Sequence, residues 1–489
     1  MSLKRESLPI SFTVSFLIAI LAALGLTLSV YGDSWLVPWH DEVVIVRLAQ
    51  NLALGKGFRN DLLDDLLPGA DEKTYWQMPL YPFTLSLWGK MFGFDLDSLR
   101  CLNRMAGILS LVLMFLLASR LGLSSTAILF AVLWTATDLT FQFSANFVRP
   151  EIWVSCMLLL TSLLLAVRVN LNLKDGILLG FISGLAVFFH PIALPFWLVT
   201  MAIFVKRSSW RNGFFFSLPF FLFASLWLIY ALQGWEIFLV QMKAHFLHKH
   251  YSITDRLAFL VGSTAWGIRF YIGIPLNTLP WLIPIAAMVL VRLREGWLLP
   301  RWFFASTIVL YLTVMLGAEA WYPSLLVPFG YLMLAAFADH LFQKASTKFE
   351  RLVIAMAALV WWSYQASVVA KHLSAVPTIR QQVAKFVAEV ESSLPPQATI
   401  LVGSFSPDPT LALLKHRPDL RIYLLMPSQM VSTKALRQLR TRLTHLLVHK
   451  EALVKPLLKG HEIKRWQFDY GGLSEVKKNV IVFLSVNEE

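Results

Sequence analysis

Three residues able to exchange protons, His40-Asp41-Glu42, follow a long apolar segment and begin a helical pattern that ends at Gly55 and Gly57. An Asp at a helix start commonly caps free backbone N–H groups and has no further role. Beside a bilayer, however, a carboxylate is partly desolvated and becomes more basic. Asp41 could then take a proton from a hydroxyl or amine during group transfer. Adjacent helix residues do not share a face, so we expect Asp41 and Glu42 to have separate roles.

Charged side chains also occur together at Arg149 and Glu151, at the start of another apolar segment. Charges at the edge of a membrane span are rare, usually paired and often functional. A structural ion pair is the plainer interpretation of these two residues, and a substrate contact is the alternative. His190, just before Pro191, is either a polar helix end or a contact for an anion.

The composition indicates a membrane protein. Of 489 residues, 57% are hydrophobic and only 15% are charged, and the mean hydropathy is +0.61, whereas a soluble domain has about 25% charged residues. A soluble enzyme and a disordered chain are therefore excluded. With Cys101 and Cys156 as its only cysteines, the chain has no disulfide framework. The net charge of +13 fits Lys and Arg flanking membrane spans better than nucleic-acid binding, for which no motif is present.

Hydropathy predicts about eleven membrane spans, each able to cross a bilayer core of about 30 Å. The first ends near Tyr31 and lacks the small-residue cleavage site of a signal peptide. The others lie near 104–120, 124–142, 150–168, 175–190, 192–206, 212–232, 275–292, 302–318, 322–340 and 350–370. The proposed inner loops carry Lys4, Arg5, Arg120, Arg168, Lys174, Lys206, Arg207, Arg211, Arg292, Arg294, Arg301, Lys344, Lys348 and Arg351. The positive-inside rule therefore places the N-terminus in the cytoplasm and the C-terminus outside.

The long first outer loop, 32–80, holds the acidic pair. Residues 43–53 are mostly apolar, with a polar strip at Arg47, Gln50 and Asn51. This pattern predicts an interfacial helix that lies on the membrane.

Two further features follow in the same loop. Tyr75 and Tyr81 are candidates for an aromatic belt at the membrane surface. An acidic cluster is interpreted as a solvated face; its members are Asp61, Asp64, Asp65, Asp71 and Glu72.

High hydropathy ends near residue 371, so residues 371–489 are predicted to form a small soluble α/β domain after a transmembrane domain of 1–370. Strand-like runs lie at 398–404, 421–426, 444–450, 463–469 and 479–486, and helical patterns at 380–393 and 432–442. Helices between the first strands favour a partly parallel sheet. The turn SFSPDPT (404–410) follows the first strand, where open α/β sheets often bind ligands. A passive lid or docking domain is the plainer interpretation.

Several motifs occur in a characteristic order. An N-terminal span is followed by Asp-Glu (41–42), a helix ending in Gly, TYWQMPLYPF (74–83), a Phe-Gly and an Asn-Arg-x-x-Gly span (103–107). This order resembles the GT-C membrane glycosyltransferases, in the branch of the protein O-mannosyltransferases and lipid A aminoarabinose transferases. SANFVRPEIWVS (144–155), SGLAVFFHPIALP (183–195) and AWYPSLLVPFGYLML (320–334) are similar to later motifs of that family.

The resemblance implies an α-helical GT-C membrane domain with an extracytoplasmic α/β tail, a sugar donor linked to polyprenyl phosphate, and Asp41 as the catalytic base. Glu42, Arg149 and Glu151 would shape the acceptor and sugar site. Gln77 stands where the aminoarabinose transferases carry a Lys. The predicted catalytic residues are thus Asp41 and Glu42. The residues predicted to contact donor or substrate are Arg47, Tyr75, Gln77, Tyr81, Arg149, Glu151, His190, Lys243, His248 and Tyr322.

A departing phosphate is an anion, so cationic groups must meet the developing charge. The outer segment QMKAHFLHKHYSITDR (241–256) supplies several. The spacing of its His245, His248 and His250 fits no single helical face, and no nearby carboxylate completes a metal site. No cofactor is therefore firmly implied, and a divalent cation is an alternative without support from ligand spacing. Phosphate contact and a solvated interfacial loop are the other two interpretations of this segment.

We therefore predict a glycosyltransferase of a bacterial-type inner membrane that transfers a hexosyl or pentosyl group by an inverting single displacement. The acceptor is a lipid, a polysaccharide or a protein, membrane lipids surround the helices, and no nucleic acid takes part. The alternative is a transporter or flippase of lipid-linked sugars, which would show repeated halves and broken central helices. The sequence pattern indicates neither. A lipid diphosphate donor is a further alternative within the enzyme class.

Overall fold

The protein is largely helical in a computed structural model that describes residues 38–168, 170–248, 298–317, 322–403, 406–425, 433–449, 460–468 and 479–486, with isolated positions at 254, 285 and 289. The predicted first span and most of the predicted span 275–292 lie outside the described residues. So do Lys249, His250 and Arg256 of the predicted cationic segment.

The helices in the described residues are α1 (His40–Ala53), α2 (Leu80–Phe92), α3 (Leu96–Arg120), α4 (Ser125–Thr137), α5 (Leu139–Asn146), α6 (Glu151–Val167), α7 (Leu173–Phe189), α8 (Leu194–Arg207), α9 (Trp210–Leu232), α10 (Trp235–His248), α11 (Arg301–Gly317), α12 (Pro323–Lys344) and α13 (Lys348–Ser393). Among these, three (α3, α9 and α12) are long and apolar enough to cross a membrane, and the bent pair α4–α5 would make a fourth. These are the helices of a multi-pass membrane protein, and the number of about eleven spans stays a prediction.

Helix α1 forms where the first-loop pattern predicts a helix, and it ends before Gly55, whose φ of 72° suits glycine. Other parts of the protein cover the apolar residues of α1 on two sides. Val46 and Ala49 join the core of the helical bundle, whereas Val43 and Val44 join the core of the C-terminal sheet. The interfacial helix predicted to lie on the membrane is therefore covered by other parts of the chain.

Contacts between the connections show which of them share an end of the helical bundle. Asn103, near the start of α3, donates to the carbonyl of Arg149 between α5 and α6 at 2.8 Å. The ring of His190, after α7, lies 5.4 Å from that of Tyr322, before α12. These connections share one end of the bundle, where Lys90 at the end of α2 also lies. Most of the described basic residues at helix termini lie one helix length away, at the other end: Arg120, Arg168, Lys206, Arg207, Arg301, Lys344 and Lys348.

The predicted single span 124–142 is two helices, α4 and α5, bent by 61° at Asp138. The Asp138 carboxylate accepts the N–H groups of Thr140 and Phe141 at 2.9 and 3.1 Å, and so caps α5. Tyr331 of α12 donates its hydroxyl to the other carboxylate oxygen at 3.0 Å. Hydropathy alone did not reveal this break, because an average over the segment does not register one capping carboxylate, and Tyr331 lies far along the chain.

Helices α7 and α9 approach each other closely at two glycines of α7. A Cβ atom at Gly180 would lie 1.8 Å from the carbonyl oxygen of Phe216, whereas one at Gly184 would lie 3.5 Å from the Cα of Phe220. Small residues let membrane helices approach closely and gain dispersion contacts. The packing of these two helices therefore depends on the missing side chain at Gly180.

Helix α13 joins the bundle to the sheet. The sequence predicted a span at 350–370 and a separate helix at 380–393, but a single helix of 46 residues runs through both. At 1.5 Å per residue it is roughly 70 Å long, well beyond a bilayer core. Its last turns pack on the sheet, where the ring of Phe386 lies 5.0 Å from that of Trp466. The predicted domain boundary at 370/371 falls inside this helix.

The strands β1 (Thr399–Gly403), β2 (Arg421–Leu424), β3 (His445–His449), β4 (His461–Phe468) and β5 (Asn479–Ser485) form one sheet in the order β2-β1-β3-β5-β4. β1 pairs in parallel with β2 and β3, and β5 pairs antiparallel with β3 and β4. Helices α14 (Thr410–His416) and α15 (Thr433–Arg440) follow the first two strands. The predicted partly parallel sheet is confirmed.

The first loop and the sheet share one hydrophobic core, which includes Leu62 and Leu66 of the loop. At its edge, the acidic cluster of the loop pairs with basic residues of the sheet and its connections. Asp64 accepts from Arg421 at 3.1 Å, and Asp65 accepts from Arg442. The two carboxylates are 29% and 37% exposed, so they stay partly solvated and also attach the sheet to the loop, through partners that come from a distant part of the sequence.

We expect Gly180→Ala to lower the thermal stability of the purified protein, because the added methyl group collides with the α9 backbone; overpacking of this kind costs about 2 kcal/mol. Gly184→Ala is the matched control on the same helix and should change the melting temperature little. Thermal unfolding in detergent measures both. Equal effects of the two substitutions would contradict the close approach at Gly180.

Candidate active site

The Glu42 carboxylate is fully enclosed and accepts four hydrogen bonds. Arg100 of α3 donates from Nε at 2.9 Å and from Nη2 at 2.6 Å. The backbone N–H groups of Trp39 and Val148 donate at 3.1 and 2.8 Å. Neither the Glu42 nor the Arg100 side chain has exposed surface. A buried ion pair needs such complete hydrogen bonding to offset desolvation, and this one ties together three distant chain segments.

Arg149 lies between two carboxylates at the start of α6. Its Nε and Nη2 donate to Glu151 at 3.2 and 2.9 Å, while its Nη1 donates to Asp41. The guanidinium also lies over the ring of Trp39, 5.2 Å from the centroid, a cation–π arrangement. Asp41 and Glu151, separated by 110 positions in the sequence, are thereby brought to the same cation.

Solvent access separates the three carboxylates. The Asp41 side chain is 40% exposed, whereas that of Glu151 is 1% exposed and that of Glu42 is fully buried. Asp41 and Glu42 thus differ in solvent exposure, as expected for adjacent residues, which lie on different faces of a helix. In this group three carboxylates face two guanidinium groups, and the carboxylate with accessible surface is Asp41.

Asn103 of α3 shapes the turn that carries Arg149. Its Nδ2 donates to the carbonyl groups of Phe147 and Arg149. Its Oδ1 accepts from the hydroxyl of Tyr81 at 3.0 Å and from Nε1 of Trp153 at 3.1 Å. Tyr81, predicted to contact the donor, is 1% exposed, so it supports this turn from the protein interior.

Tyr322 and His190 approach the same group from the later helices. Tyr322 directly precedes α12, which packs on α5 and α6 to either side of Arg149, and the His190 ring lies edge-on to Tyr322 at 5.4 Å. His190 also accepts the N–H of Ile192 through Nδ1 at 3.2 Å and so begins the turn before α8. The structure therefore brings together Asp41, Glu42, Tyr81, Arg149, Glu151, His190 and Tyr322 of the predicted site.

Arg47 faces a different partner. It donates to Asp61 from Nε at 2.8 Å and from Nη2 at 2.6 Å, in a two-pronged pair. Burial raises the pKa of Asp61, but hydrogen bonds from Arg47 and Asn51 outweigh this effect and lower it to about 2. This pair joins α1 to the following loop, so a donor contact by Arg47 would have to compete with it.

Tyr75, Gln77, Lys243 and His248 belong to a second region, where α10 packs on the loop before α2. Tyr75 is buried, with its ring 5.0 Å from that of Tyr230, and its N–H donates to Gln241 of α10 at 2.8 Å. Gln77 is half-buried and Lys243 is exposed. His248 is the last described residue of α10. Their predicted donor contacts stay predictions.

An apolar cavity of about 320 Å³ lies near the other end of α1. Its lining comes from the first loop, α2, α7 and α9 and includes Leu52, Phe58, Leu80, Phe188, Trp227 and Tyr230. From Asp41 to Leu52 the helix rises by about 17 Å. Within the part of the chain that is described, no three His, Cys, Asp or Glu side chains are grouped as a metal site.

For three residues of this site, no role was predicted from the sequence. Arg100 lies just before the predicted span 104–120, and a charge at the edge of a span often has a buried partner. Asn103 was part of the Asn-Arg-x-x-Gly motif but had no assigned role. Asp408, in the SFSPDPT turn, bonds to His40 beside the acidic pair, and no sequence signal connects residues so far apart.

The chain is similar in structure to ArnT from Cupriavidus metallidurans, in a crystal structure bound to undecaprenyl phosphate. That match has 13% sequence identity and a TM-score of 0.58, and it covers 96% of this chain and 98% of that one. A second similar structure is the archaeal oligosaccharyltransferase AglB from Archaeoglobus fulgidus, in complex with an inhibitory peptide and a dolichol-phosphate. It has 11% identity and a TM-score of 0.54, and covers 91% of this chain and 70% of that one.

The chain therefore has the GT-C fold that the resemblance predicted. Identities this low show the fold and leave the activity open. No protein-family model matches the sequence, and no curated protein matches it at a significant level.

We expect Arg100→Met to lower the free energy of unfolding by about 3–5 kcal/mol, because it leaves Glu42 as an uncompensated buried charge. The double variant Arg100→Met/Glu42→Gln should regain part of the lost free energy of unfolding, because it removes the uncompensated charge. Arg120→Met, at the exposed last residue of the same helix, α3, is the control. Denaturant unfolding in detergent measures the set, and a loss no larger than in the control would show that the pair is not needed for stability.

Proposed function

We propose that this protein is a membrane glycosyltransferase that moves a sugar from a polyprenyl phosphate to an acceptor outside the cytoplasm. The shared fold supports the donor class, because the compared ArnT is bound to undecaprenyl phosphate and the compared AglB to a dolichol-phosphate. The site at one end of the helical bundle supports a reaction at the membrane boundary, where a lipid phosphate presents its headgroup.

One observation carries the assignment of the base: Asp41 is 40% exposed in a group whose other carboxylates are enclosed. A general base must come within hydrogen-bond reach of the proton it removes. Glu42 and Glu151 have no free approach for a substrate. We therefore assign the base to Asp41 alone, and we give Glu42, predicted as catalytic, a positioning role through Arg100.

In the proposed step, an Asp41 oxygen takes the proton of the acceptor hydroxyl or amine. The acceptor oxygen or nitrogen forms a bond to the anomeric carbon, and the bond from that carbon to the phosphate oxygen breaks. The electron pair of the broken bond leaves with the polyprenyl phosphate, and the configuration inverts. Arg149, His190 and Tyr322 form the polar wall of the site and are suited to hold the sugar.

The positive charge that stabilises the donor phosphate has to come from residues outside this group, because three carboxylates already face Arg100 and Arg149. Lys243 is the exposed described cation of α10, at the start of the basic segment 241–256. The apolar cavity beside Leu80 suits part of a prenyl chain, since its lining is hydrophobic and aromatic. Lys243 would then contact the phosphate of the donor, and the cavity would hold part of its prenyl chain.

Most of the basic helix termini lie at the end of the bundle opposite Asp41. By the positive-inside rule this arrangement supports a cytoplasmic basic end and an extracytoplasmic site, in a bacterial-type inner membrane. The C-terminal sheet, which packs on the first loop, would then be extracytoplasmic too. The proposed division is a helical domain over 1–370 and a sheet domain over 371–489, joined through α13. A lipid, polysaccharide or protein acceptor would enter from that side.

A transporter of lipid-linked sugars is the second candidate, and the break at Asp138 is the observation that favours it. Transporters often carry discontinuous central helices that surround a substrate site. Here, however, the Asp138 carboxylate is occupied by two backbone N–H groups and the Tyr331 hydroxyl. A purely structural cap accounts for these contacts.

We expect Asp41→Asn to reduce sugar transfer at least 100-fold, in line with the roughly 10²- to 10⁴-fold contribution of a general base. The amide keeps the size of the side chain but cannot accept the proton. The assay supplies purified protein in lipid vesicles with a panel of radiolabelled polyprenyl-phosphate sugars and acceptor extracts. Asp97→Asn, at an exposed position in the first turn of α3, is the control and should keep wild-type activity.

Wild-type activity in the Asp41→Asn variant would remove Asp41 from the role of base. The same vesicles separate the two candidate functions. Movement of a labelled lipid-linked sugar across the bilayer without any sugar transfer would favour the transporter and overturn the proposed enzyme.

A further inference from the structure

The C-terminal sheet contacts the residue next to the proposed base. Nδ1 of His40 lies 3.0 Å from Oδ2 of Asp408, and the two side chains are 2% and 0% exposed. Because an ionised carboxylate only accepts, Nδ1 of His40 is the donor. Asp408 lies in the turn between β1 and α14, at the carboxyl end of a parallel strand, where open α/β sheets place their functional groups.

A second contact fixes the backbone of the same segment. The N–H of Asp408 donates to the carbonyl of Pro38 at 2.9 Å. The other carboxylate oxygen of Asp408 accepts the N–H of Thr410 at 2.9 Å, which orients the carboxylate. Asp408 therefore holds the residues on both sides of Trp39, one by its backbone and one by its side chain.

The bundle holds this segment from the opposite side. Trp39 lies under the Arg149 guanidinium, and Glu42 bonds to Arg100 and to the N–H of Val148. Residues 38–42 are thus clamped between bundle and sheet, and Asp41 is the member whose side chain faces outward with a large exposed fraction.

We infer that Asp408 is a positioning residue of the active site, which acts through His40 and Pro38 to set the Asp41 carboxylate in place. The inference rests on the proposed function and deepens it, because it makes the C-terminal sheet part of the catalytic unit. A misplacement of about 1 Å at a reacting group can cost about 100-fold in rate. A clamp of this kind is therefore a direct contribution to turnover.

His449 at the end of β3 is the titratable neighbour of this pair. Burial lowers its pKa to about 4, with His40 adding to the effect and Asp408 opposing it. His449 is therefore neutral at neutral pH and does not compete as a cation for Asp408.

The chain offers a matched control, because the sheet is also attached by contacts that do not touch residues 38–42. Arg421 donates to Asp64 and Arg442 donates to Asp65, with the four side chains between 29% and 56% exposed. Asp64→Asn combined with Asp65→Asn weakens docking of the sheet at these surface pairs. Asp408→Asn instead removes the charge beside His40.

The experiment compares kcat and donor KM of the full-length wild type, Asp408→Asn, His40→Phe, their double variant and the Asp64→Asn/Asp65→Asn control in lipid vesicles. Rates are normalised to the donor-binding stoichiometry, so that unfolded protein does not count. We expect Asp408→Asn to lower kcat by about 10- to 100-fold with donor KM unchanged, and the control to keep its kcat. Residues that act as one unit are not additive, so the double variant should be no slower than the slower single variant.

Hydrogen exchange of the amides of residues 38–44 tests the clamp without any activity and should be faster in Asp408→Asn than in the control. Unchanged exchange and unchanged kcat in Asp408→Asn would overturn the inference, as would an equal loss in the control or multiplying losses in the double variant. If the wild type transfers no sugar, the proposed function fails, while the exchange result still decides whether Asp408 holds this segment.

Discussion

The site depends on a carboxylate that no solvent reaches. Placing the charge of Glu42 in the interior costs several kcal/mol unless its oxygens are fully bonded, and the bonds come from α3, from the turn before α6 and from the start of α1. These segments must meet for Glu42 to be tolerated. Once they meet, the preceding residue, Asp41, is rotated by about 100° around the axis of α1 relative to Glu42. That rotation leaves Asp41 beside Arg149 with its carboxylate open to solvent.

The same short segment is also where the two cores of the protein meet. Val46 packs in the helical bundle and Val43 in the core of the sheet, so α1 cannot shift toward one without losing contacts with the other. The His40–Asp408 pair lies at this junction. A sheet in this position is more than a cover over the membrane domain. Its attachment and the geometry of the proposed base are physically coupled.

Much of the architecture was predictable from the sequence, because hydropathy and strand periodicity are local signals. Most of the predicted spans between 104 and 340 and the five strands coincide with described elements, and the acidic pair pointed to the right end of α1, whereas α10 lies in a segment predicted as an outer loop. The pairing of Glu42 with Arg100, the docking of Asp64 on Arg421 and the contact of Asp138 with Tyr331 were not predictable. Each depends on a partner distant in sequence, and a charge shows nothing of its partner until the chain has folded. The proposed roles of Lys243 and Gln77 rest on sequence alone.

The stereochemistry of the product is the measurement that tests the central claim most directly. If Asp41 acts as a base in a single displacement, the sugar transferred from a polyprenyl phosphate of known anomeric configuration must appear in the product with the opposite configuration. Proton NMR of the anomeric coupling in the isolated product decides this. Inversion is the predicted result, and retention of configuration would contradict the account, because retention requires a second displacement through a covalent intermediate.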